Sequence, residues 1–197
     1  MTATEATPKR PAMTLPSALR ALGVVFAFAM PAFGIYGYAP GPLYYAILAT
    51  YPPLLACLVA IVTLTGGRSR RIFSLALVSF IVMTVISYAD YGVTRLHVKG
   101  LKVISTKPLW DLANFADVAG IYLTLLAATS LAKTPLMKKV GAGLLSIEAL
   151  LSLGFVFAKW LRPMPPLVPF FHGSLYIVAA CMLFELGAPR RHLTATT

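Results

Sequence analysis

Two carboxylates and an amide lie three residues apart in the stretch KPLWDLANFAD, which covers residues 107–117. They are Asp111, Asn114 and Asp117. In a helix of 3.6 residues per turn, positions i, i+3 and i+6 project from one side, so the three groups would share a face. Carboxylates on one face can bind a cation, carry a proton or accept hydrogen bonds from a solute. This stretch is therefore the first place to look for function.

The chain around this stretch is too apolar for a soluble domain of its length. Of its 197 residues, 58% are hydrophobic and 12% are charged, and the mean hydropathy is +0.80. Runs of about 20 apolar residues recur, long enough to cross a hydrocarbon core of roughly 30 Å. Only helices and closed barrels satisfy the backbone in lipid, and the short alternating segments of a barrel are not seen in this sequence. We therefore predict an all-α integral membrane bundle.

Six transmembrane helices with short loops are predicted in one domain over residues 18–188. A flexible cytoplasmic tail at 1–17 precedes the domain, and a second cytoplasmic tail at 189–197 follows it. The one longer loop, 93–107, is predicted to be non-cytoplasmic and to contain a small hairpin or interfacial flap. The predicted spans are about 18–38, 43–65, 72–92, 108–131, 137–158 and 166–187.

Prolines and cysteines inside the apolar runs bear on packing. Pro52 and Pro53 remove two backbone donors from the second span, so neighbouring groups or water must cover the carbonyls that they leave unpaired. Cys57 and Cys181 lie in apolar runs with no Cys, His or Asp partner at metal-ligand spacing. We expect both cysteines to be buried packing residues.

The positive charges predict the orientation of the bundle. The net charge of +11 sits in short clusters between apolar runs, with no separate basic domain, so no nucleic-acid partner is expected. The termini and the clusters at 66–71 and 132–139 fall on one side and hold about eleven of the 17 Lys and Arg residues. The positive-inside rule puts both termini in the cytoplasm. An uncleaved first helix fits a bacterial inner (plasma) membrane.

Five of the six acids, all except Glu5, lie in apolar spans or at their ends. A carboxylate at the bilayer centre costs roughly 2.5–3.5 kcal/mol on insertion scales, so such residues usually face the bundle interior or a water-filled cavity. The predicted orientation brings several polar and aromatic residues of spans three to six into one cavity in the outer half of the bundle. The predicted ligand-binding residues are Asp90, Tyr91, Trp110, Asp111, Asn114, Asp117, Glu148 and His172. Asp117 and Glu148 are also the candidates for a catalytic acid.

Simpler explanations apply to part of this set. Acids near helix ends, such as Asp90 and Asp111, could simply lie at the membrane interface. The aromatic residues in the outer half of the bundle could form a belt at the lipid headgroups or line a ligand-binding pocket. Of the histidines, only His172 lies inside a span, so a bis-histidine haem is not expected. A carboxylate site for a hard cation is chemically possible. No phosphate loop, nucleophile elbow or cysteine pair is present, and neither a metal nor a cofactor is predicted.

Three functions fit the predicted cavity. The first is binding or transport of a small solute or cation, with the acids as ligands or proton carriers. The second is an accessory subunit of a larger membrane complex, in which the acids pair with basic residues of partner subunits. The third is a membrane-embedded enzyme doing acid–base chemistry on a lipid-like substrate, such as an isoprenoid or a sterol. The sequence favours the first and leaves the ligand unidentified.

Overall fold

The chain forms six α-helices in a computed structural model that describes residues 13–36, 42–94, 107–157 and 167–188. These residues contain no β-strand, so the all-α fold class is confirmed for them. The predicted hairpin in 93–107 and most of both predicted tails lie outside the described residues. In chain order the helices are α1 Leu15–Tyr36, α2 Pro42–Leu64, α3 Gly67–Thr94, α4 Lys107–Leu131, α5 Pro135–Phe157 and α6 Leu167–Leu186.

One helix in the described part of the chain is long and apolar enough to cross a membrane. This is α3, over Gly67–Ala89. Shorter apolar stretches occupy parts of four other helices, at Leu15–Ala29, Leu48–Leu64, Phe115–Leu131 and Leu175–Leu186. Among the described residues, α3 alone meets both criteria.

The boundary between α2 and α3 differs from the predicted one. α2 runs without a break through Pro52 and Pro53 and ends at Leu64. α3 begins at Gly67, inside the basic cluster that was predicted to separate the two spans. Gly67 has a φ of 58°, which a glycine adopts without strain, and this allows a very short connection between the two helices. The basic residues therefore belong to the first turns of α3.

Five of the helices form a ring. α1 packs between α2 and α6, α3 packs between α2 and α4, and α4 packs against α6 to close the ring. α5 packs against α4 from outside, where Gly141 approaches Thr129 of α4 and Met182 of α6. Successive helices alternate in direction, so α4 and α6 run parallel to each other. This arrangement allows groups at the same depth on α4 and α6 to meet.

α3 and α4 approach each other closely at Gly120. A Cβ on Gly120 would lie 2.8 Å from the ring of Phe80, and at the end of the same pair the hydroxyls of Ser69 and Ser130 are 3.3 Å apart. These two contacts fix an antiparallel register between the helices. Glycine allows the close approach because it has no side chain.

Hydroxyl groups within the helices are satisfied locally. The Thr84 hydroxyl donates to the carbonyl of Phe80 at 2.6 Å, and that of Thr124, which is fully buried, donates to the carbonyl of Gly120 at 2.8 Å. Such bonds to the preceding turn allow Ser and Thr to lie in apolar surroundings. Cys57 is buried as predicted, whereas Cys181 is exposed on α6, so the prediction was wrong for the second cysteine. An apolar run does not reveal which of its faces points outward.

Large apolar side chains are exposed on all six helices. On α3, for example, Leu75, Val78, Ile81 and Val85 form an exposed stripe, while Phe80 faces the ring's interior. Phe28 on α1 is 71% exposed and Phe115 on α4 is 70% exposed. An apolar exterior of this extent is far larger than the scattered exposed side chains of a soluble protein.

Candidate functional site

Asp117 is a charged residue in the interior of the ring. Its side chain, on α4, is only 5% exposed, and the hydroxyl of Tyr176, on α6, donates a hydrogen bond of 2.7 Å to its Oδ1. Tyr176 is also buried. The other buried side chains with a polar group among the described residues include Tyr51, Ser87 and Thr124, none of which is an acid or a base at neutral pH. Asp117 and Tyr176 therefore form the polar centre of the described structure.

The parallel arrangement of α4 and α6 brings these two residues together. Asp117 lies in the third turn of α4, counted from Lys107, and Tyr176 lies in the third turn of α6, counted from Leu167. Both helices start at the same end of the bundle, so the two side chains are at the same depth. The hydrogen bond joins helices that are far apart in sequence.

An aromatic cluster fixes the ring of Tyr176. It packs edge-on against Phe26 of α1, with ring centroids 5.1 Å apart and an interplanar angle of 77°. Phe26 in turn packs edge-on against Phe80 of α3, at 6.1 Å and 62°. Edge-to-face packing at these distances is favourable beyond the area it buries. Because α1 and α3 lie on opposite sides of α2, the three rings reach across the helix ring and fill its middle.

The two consecutive prolines of α2 are the setting for a second polar contact. Pro52 has no N–H to donate to the carbonyl of Leu48, four residues earlier. The hydroxyl of Tyr88, on α3, donates to this carbonyl at 2.9 Å. The rings of Tyr88 and Tyr51 also pack edge-on, 6.2 Å apart and at 71°. A neighbouring helix thus covers the carbonyl of Leu48. The sequence predicted that a neighbouring group or water would do so.

This contact gives the two tyrosines a role that was not predicted. Tyr51 is buried, which does not fit a belt at the lipid headgroups, and Tyr88 uses its hydroxyl to cover a backbone carbonyl. Neither observation requires a ligand. Their packing supports the continuity of α2 through its prolines.

The described helices contain every predicted ligand-binding residue. The structure describes the side chain of Asp117, and it describes the other seven residues by their backbone positions. The backbones of Asp90 and Tyr91 lie near the end of α3, and those of Trp110, Asp111 and Asn114 in the first turns of α4. The antiparallel register of α3 and α4 puts the end of α3 level with the start of α4. Asp90 and Asp111 are therefore at a similar depth, as predicted from the sequence.

The remaining two predicted residues are on α5 and α6. His172 is one turn before Tyr176, which puts its backbone level with the turn of α4 before Asp117. Gly141 approaches Thr129, so the antiparallel α5 brings the backbone of Glu148 level with the turn of α4 after Asp117. The register thus places His172 towards the end where α4 begins and Glu148 deeper in the bundle.

Neither Asp117 nor Tyr176 lines either of two grooves that are open on the described surface. One, of about 250 Å³, lies between α1 and α2 and has an almost wholly apolar lining that includes Phe28 and Pro53. The other, of about 400 Å³, lies where α1 begins and α6 ends, and Arg20 and Gly187 contribute to it. Among the described side chains, no group of three or more His, Cys, Asp or Glu residues is close enough to hold a metal ion.

Sequence reasoning selected Asp117 and missed Tyr176. The signal was available, because Tyr176 is a tyrosine in the middle of an apolar run, at a depth on α6 that matches Asp117 on α4. Phe26 and Phe80 carried no such signal, because nothing distinguishes them from the other phenylalanines of the apolar runs.

Comparisons with known protein families, with curated proteins and with solved structures found no match for this chain.

Proposed function

We propose that this chain is a multi-pass membrane protein in which all six helices cross the bilayer. The helices have between 20 and 28 residues, and at about 1.5 Å per residue the shortest is roughly 30 Å long, the thickness of a hydrocarbon core. The apolar side chains exposed on every helix support the same proposal, since lipid is the solvent in which such a surface costs nothing. Both termini lie in the cytoplasm by the distribution of Lys and Arg.

Within this bundle, the Asp117 site binds a small solute or cation. One observation carries the proposal, namely a carboxylate enclosed at 5% exposure and hydrogen-bonded to a neutral phenol. A charge inside a membrane bundle costs roughly 2.5–3.5 kcal/mol on insertion scales. Asparagine would accept the same hydrogen bond without the charge, so the charge itself points to a function.

The ligand enters from the end where α4 begins. Asp90, Asp111, Asn114 and His172 are at or near that end, between it and the depth of Asp117. On the inner side, the rings of Phe26, Phe80 and Tyr176 fill the middle of the helix ring. Binding needs only the outer half of the bundle, whereas transport also needs these rings to move apart. The favoured ligand is a cation or a solute with hydrogen-bond donors, because the site offers a carboxylate.

The position of α5 favours a second candidate, an accessory subunit of a larger membrane complex. α5 lies outside the helix ring and exposes Leu136, Val140, Ile147 and Leu150 on its outer side. Gly143 lies on the same helix with no atom within 4 Å of an added Cβ, so no contact within the chain requires a glycine there. In this case the Asp117–Tyr176 bond serves only to hold α4 against α6.

A thermal-stability experiment separates the two candidates. The protein, purified in detergent, is heated with sodium, potassium, magnesium, guanidinium or choline chloride, and its Tm is measured by intrinsic fluorescence. A ligand at 100 times its Kd stabilises the folded state by about 2.7 kcal/mol, so a bound cation raises Tm. The rise is expected for the wild type and for Tyr176→Phe, which keeps the carboxylate, and it is lost in Asp117→Asn.

Two results would contradict cation binding. Either none of these cations raises the Tm of the wild type, or Asp117→Asn responds as the wild type does. If both variants lower Tm equally without any cation response, the bond has a structural role and the accessory-subunit candidate is favoured.

A further inference from the structure

Two groups of basic residues that are far apart in sequence lie side by side in the fold. Arg68, Arg70 and Arg71 occupy the first turns of α3, while Lys133, Lys138 and Lys139 follow α4 and begin α5. The hydroxyls of Ser69 and Ser130 are 3.3 Å apart, which joins the start of α3 to the end of α4. We call these six cationic residues the basic surface. It forms because α3 and α4 are antiparallel neighbours.

The basic surface is open to its surroundings. All six of its cationic side chains are exposed. Among the described side chains, one acid lies at this end of the bundle. It is Glu185, which is exposed in the last turn of α6. Asp117 is at mid-bundle, and the backbones of Asp90 and Asp111 are at the opposite end. The basic surface therefore carries a large excess of positive charge.

The cations are not placed where they would stabilise the helices. Positive side chains are favourable in the last turn of a helix and unfavourable in the first, because the helix dipole is positive at its N-terminus. α3 and α5 have no acidic residue in their first turns, and α2 and α4, which end at this surface, have no basic residue in their last turns. The distribution is the reverse of the one that the helix dipole favours, so helix stabilisation does not account for the positions of these cations.

We propose that the basic surface binds the phosphate groups of anionic phospholipids in the leaflet on its side of the membrane. The proposal rests on the membrane topology given above, which puts this end of the bundle at the cytoplasmic headgroups. Anionic lipids attract clustered Lys and Arg residues at the membrane surface, and the attraction reaches over about a Debye length. The exposed cations at the starts of α3 and α5, two helices that both pack against α4, match a layer of lipid phosphates in sign and position.

Lipid selectivity can be measured in vesicles. The full chain is reconstituted in phosphatidylcholine, and electron paramagnetic resonance measures how much spin-labelled phosphatidylglycerol or phosphatidylcholine is immobilised at the protein. We expect a preference for phosphatidylglycerol of roughly tenfold, since each cation near the surface contributes appreciably to binding. The preference falls towards one in 1 M NaCl, where the Debye length is about 3 Å.

Matched variants test whether the basic surface is responsible. Neutralising Arg68, Arg70 and Arg71 to Gln together should abolish most of the preference, and changing the same three residues to Lys should preserve it. Changing Lys133, Lys138 and Lys139 to Gln provides a second loss variant in case the first does not insert. Lys99→Gln with Lys102→Gln removes charges that the sequence places at the other end, and it should leave the preference unchanged.

The proposal is overturned by any of four results, of which the first three concern the lipid preference of the wild type and the variants. The wild type shows no preference for phosphatidylglycerol, both Gln triple variants keep the wild-type preference, or the pair of changes at Lys99 and Lys102 removes it. Inorganic phosphate is the competitor that identifies the anion. If 10 mM phosphate abolishes the preference, the surface binds soluble phosphate rather than lipid, which also overturns the proposal. None of these readouts depends on Asp117, so they are independent of the proposed solute site.

Discussion

Asp117 and Tyr176 act as one unit at the scale of single residues. The phenol donates to the carboxylate at 2.7 Å, and its ring is held edge-on by Phe26. A buried carboxylate in apolar surroundings interacts strongly with any donor nearby, because the local dielectric constant is low. The ring packing therefore sets the position of the hydroxyl, and the hydroxyl sets the orientation of the carboxylate.

Tyr176→Phe is expected to destabilise the protein by about 1–3 kcal/mol, because the change removes a donor from a buried charged group and leaves the ring packing intact. The measurement is thermal or SDS-induced unfolding in detergent. Tyr122→Phe is the control, since Tyr122 is a partly buried tyrosine on the same helix as Asp117. Equal effects of the two changes would mean that the bond between Tyr176 and Asp117 contributes no stability.

Single helices show how the chain tolerates residues that normally disturb a membrane span. α2 contains two consecutive prolines, yet it continues to Leu64. The carbonyl of Leu48 loses its usual donor at Pro52 and gains the hydroxyl of Tyr88 from α3. A carbonyl without a donor is costly in apolar surroundings, so this cross-helix bond helps α2 to continue through its prolines.

A double-mutant cycle on Tyr88 and Pro52 tests this interpretation. Tyr88→Phe alone should cost about 1 kcal/mol, because the carbonyl of Leu48 loses its donor. In the background of Pro52→Ala the new N–H can donate to the same carbonyl, so Tyr88→Phe should cost much less. The difference between the two costs is the coupling energy, expected to be on the order of 0.5–1.5 kcal/mol from unfolding in detergent. Additive effects would show that Tyr88 does not compensate for the proline.

Replacing glycine by alanine should have opposite effects on stability at Gly120 and Gly143. Gly120→Ala would place a Cβ 2.8 Å from the buried ring of Phe80, which cannot swing away because it packs on Phe26. The expected cost is about 1–3 kcal/mol as α3 and α4 are forced apart. Gly143→Ala meets no atom within 4 Å and should stabilise α5 by up to about 1 kcal/mol. A melting temperature of Gly120→Ala equal to or above that of the wild type would contradict the packing of α3 on α4, and a lower one for Gly143→Ala would contradict the open surroundings of Gly143.

At the scale of the whole molecule, the cationic side chains that the structure describes lie at one end of the bundle. The basic surface lies at one end, Asp117 is near the middle, and the backbones of Asp90 and Asp111 are at the other end. A bundle that crosses a membrane with this distribution has its basic end in the cytoplasm. The proposed solute site then faces away from the cytoplasm.

Reporter fusions in a bacterial host test this topology. A fluorescent protein that folds only in the cytoplasm should be bright after Gly66 and after Lys133, whereas alkaline phosphatase, which is active only outside the cytoplasm, should be active after Lys99 and after Arg162. The reasons are the alternation of six spans and the positive-inside rule. A bright fluorescent fusion after Lys99 would show that fewer spans cross the membrane or that the orientation is inverted.

The sequence by itself determined the helical class and the approximate helix positions, and it selected Asp117, which the structure buries. Long apolar runs predict helices because a backbone in lipid has few other ways to satisfy its hydrogen bonds. A carboxylate in such a run stands out for the same reason. The start of α3 within the basic cluster was not predicted, because Arg and Lys are good helix formers and do not mark a helix end.

Only the tertiary structure decided which side chains meet. Phe26 is buried and Phe28 is exposed on the same helix, and on α3 Met83 is buried while Val85 is exposed. In a soluble helix, polar residues would mark the outer face. Here both faces are apolar, so helical periodicity does not identify the inner one. The partners of Asp117, Gly120 and the carbonyl of Leu48 therefore follow from packing alone.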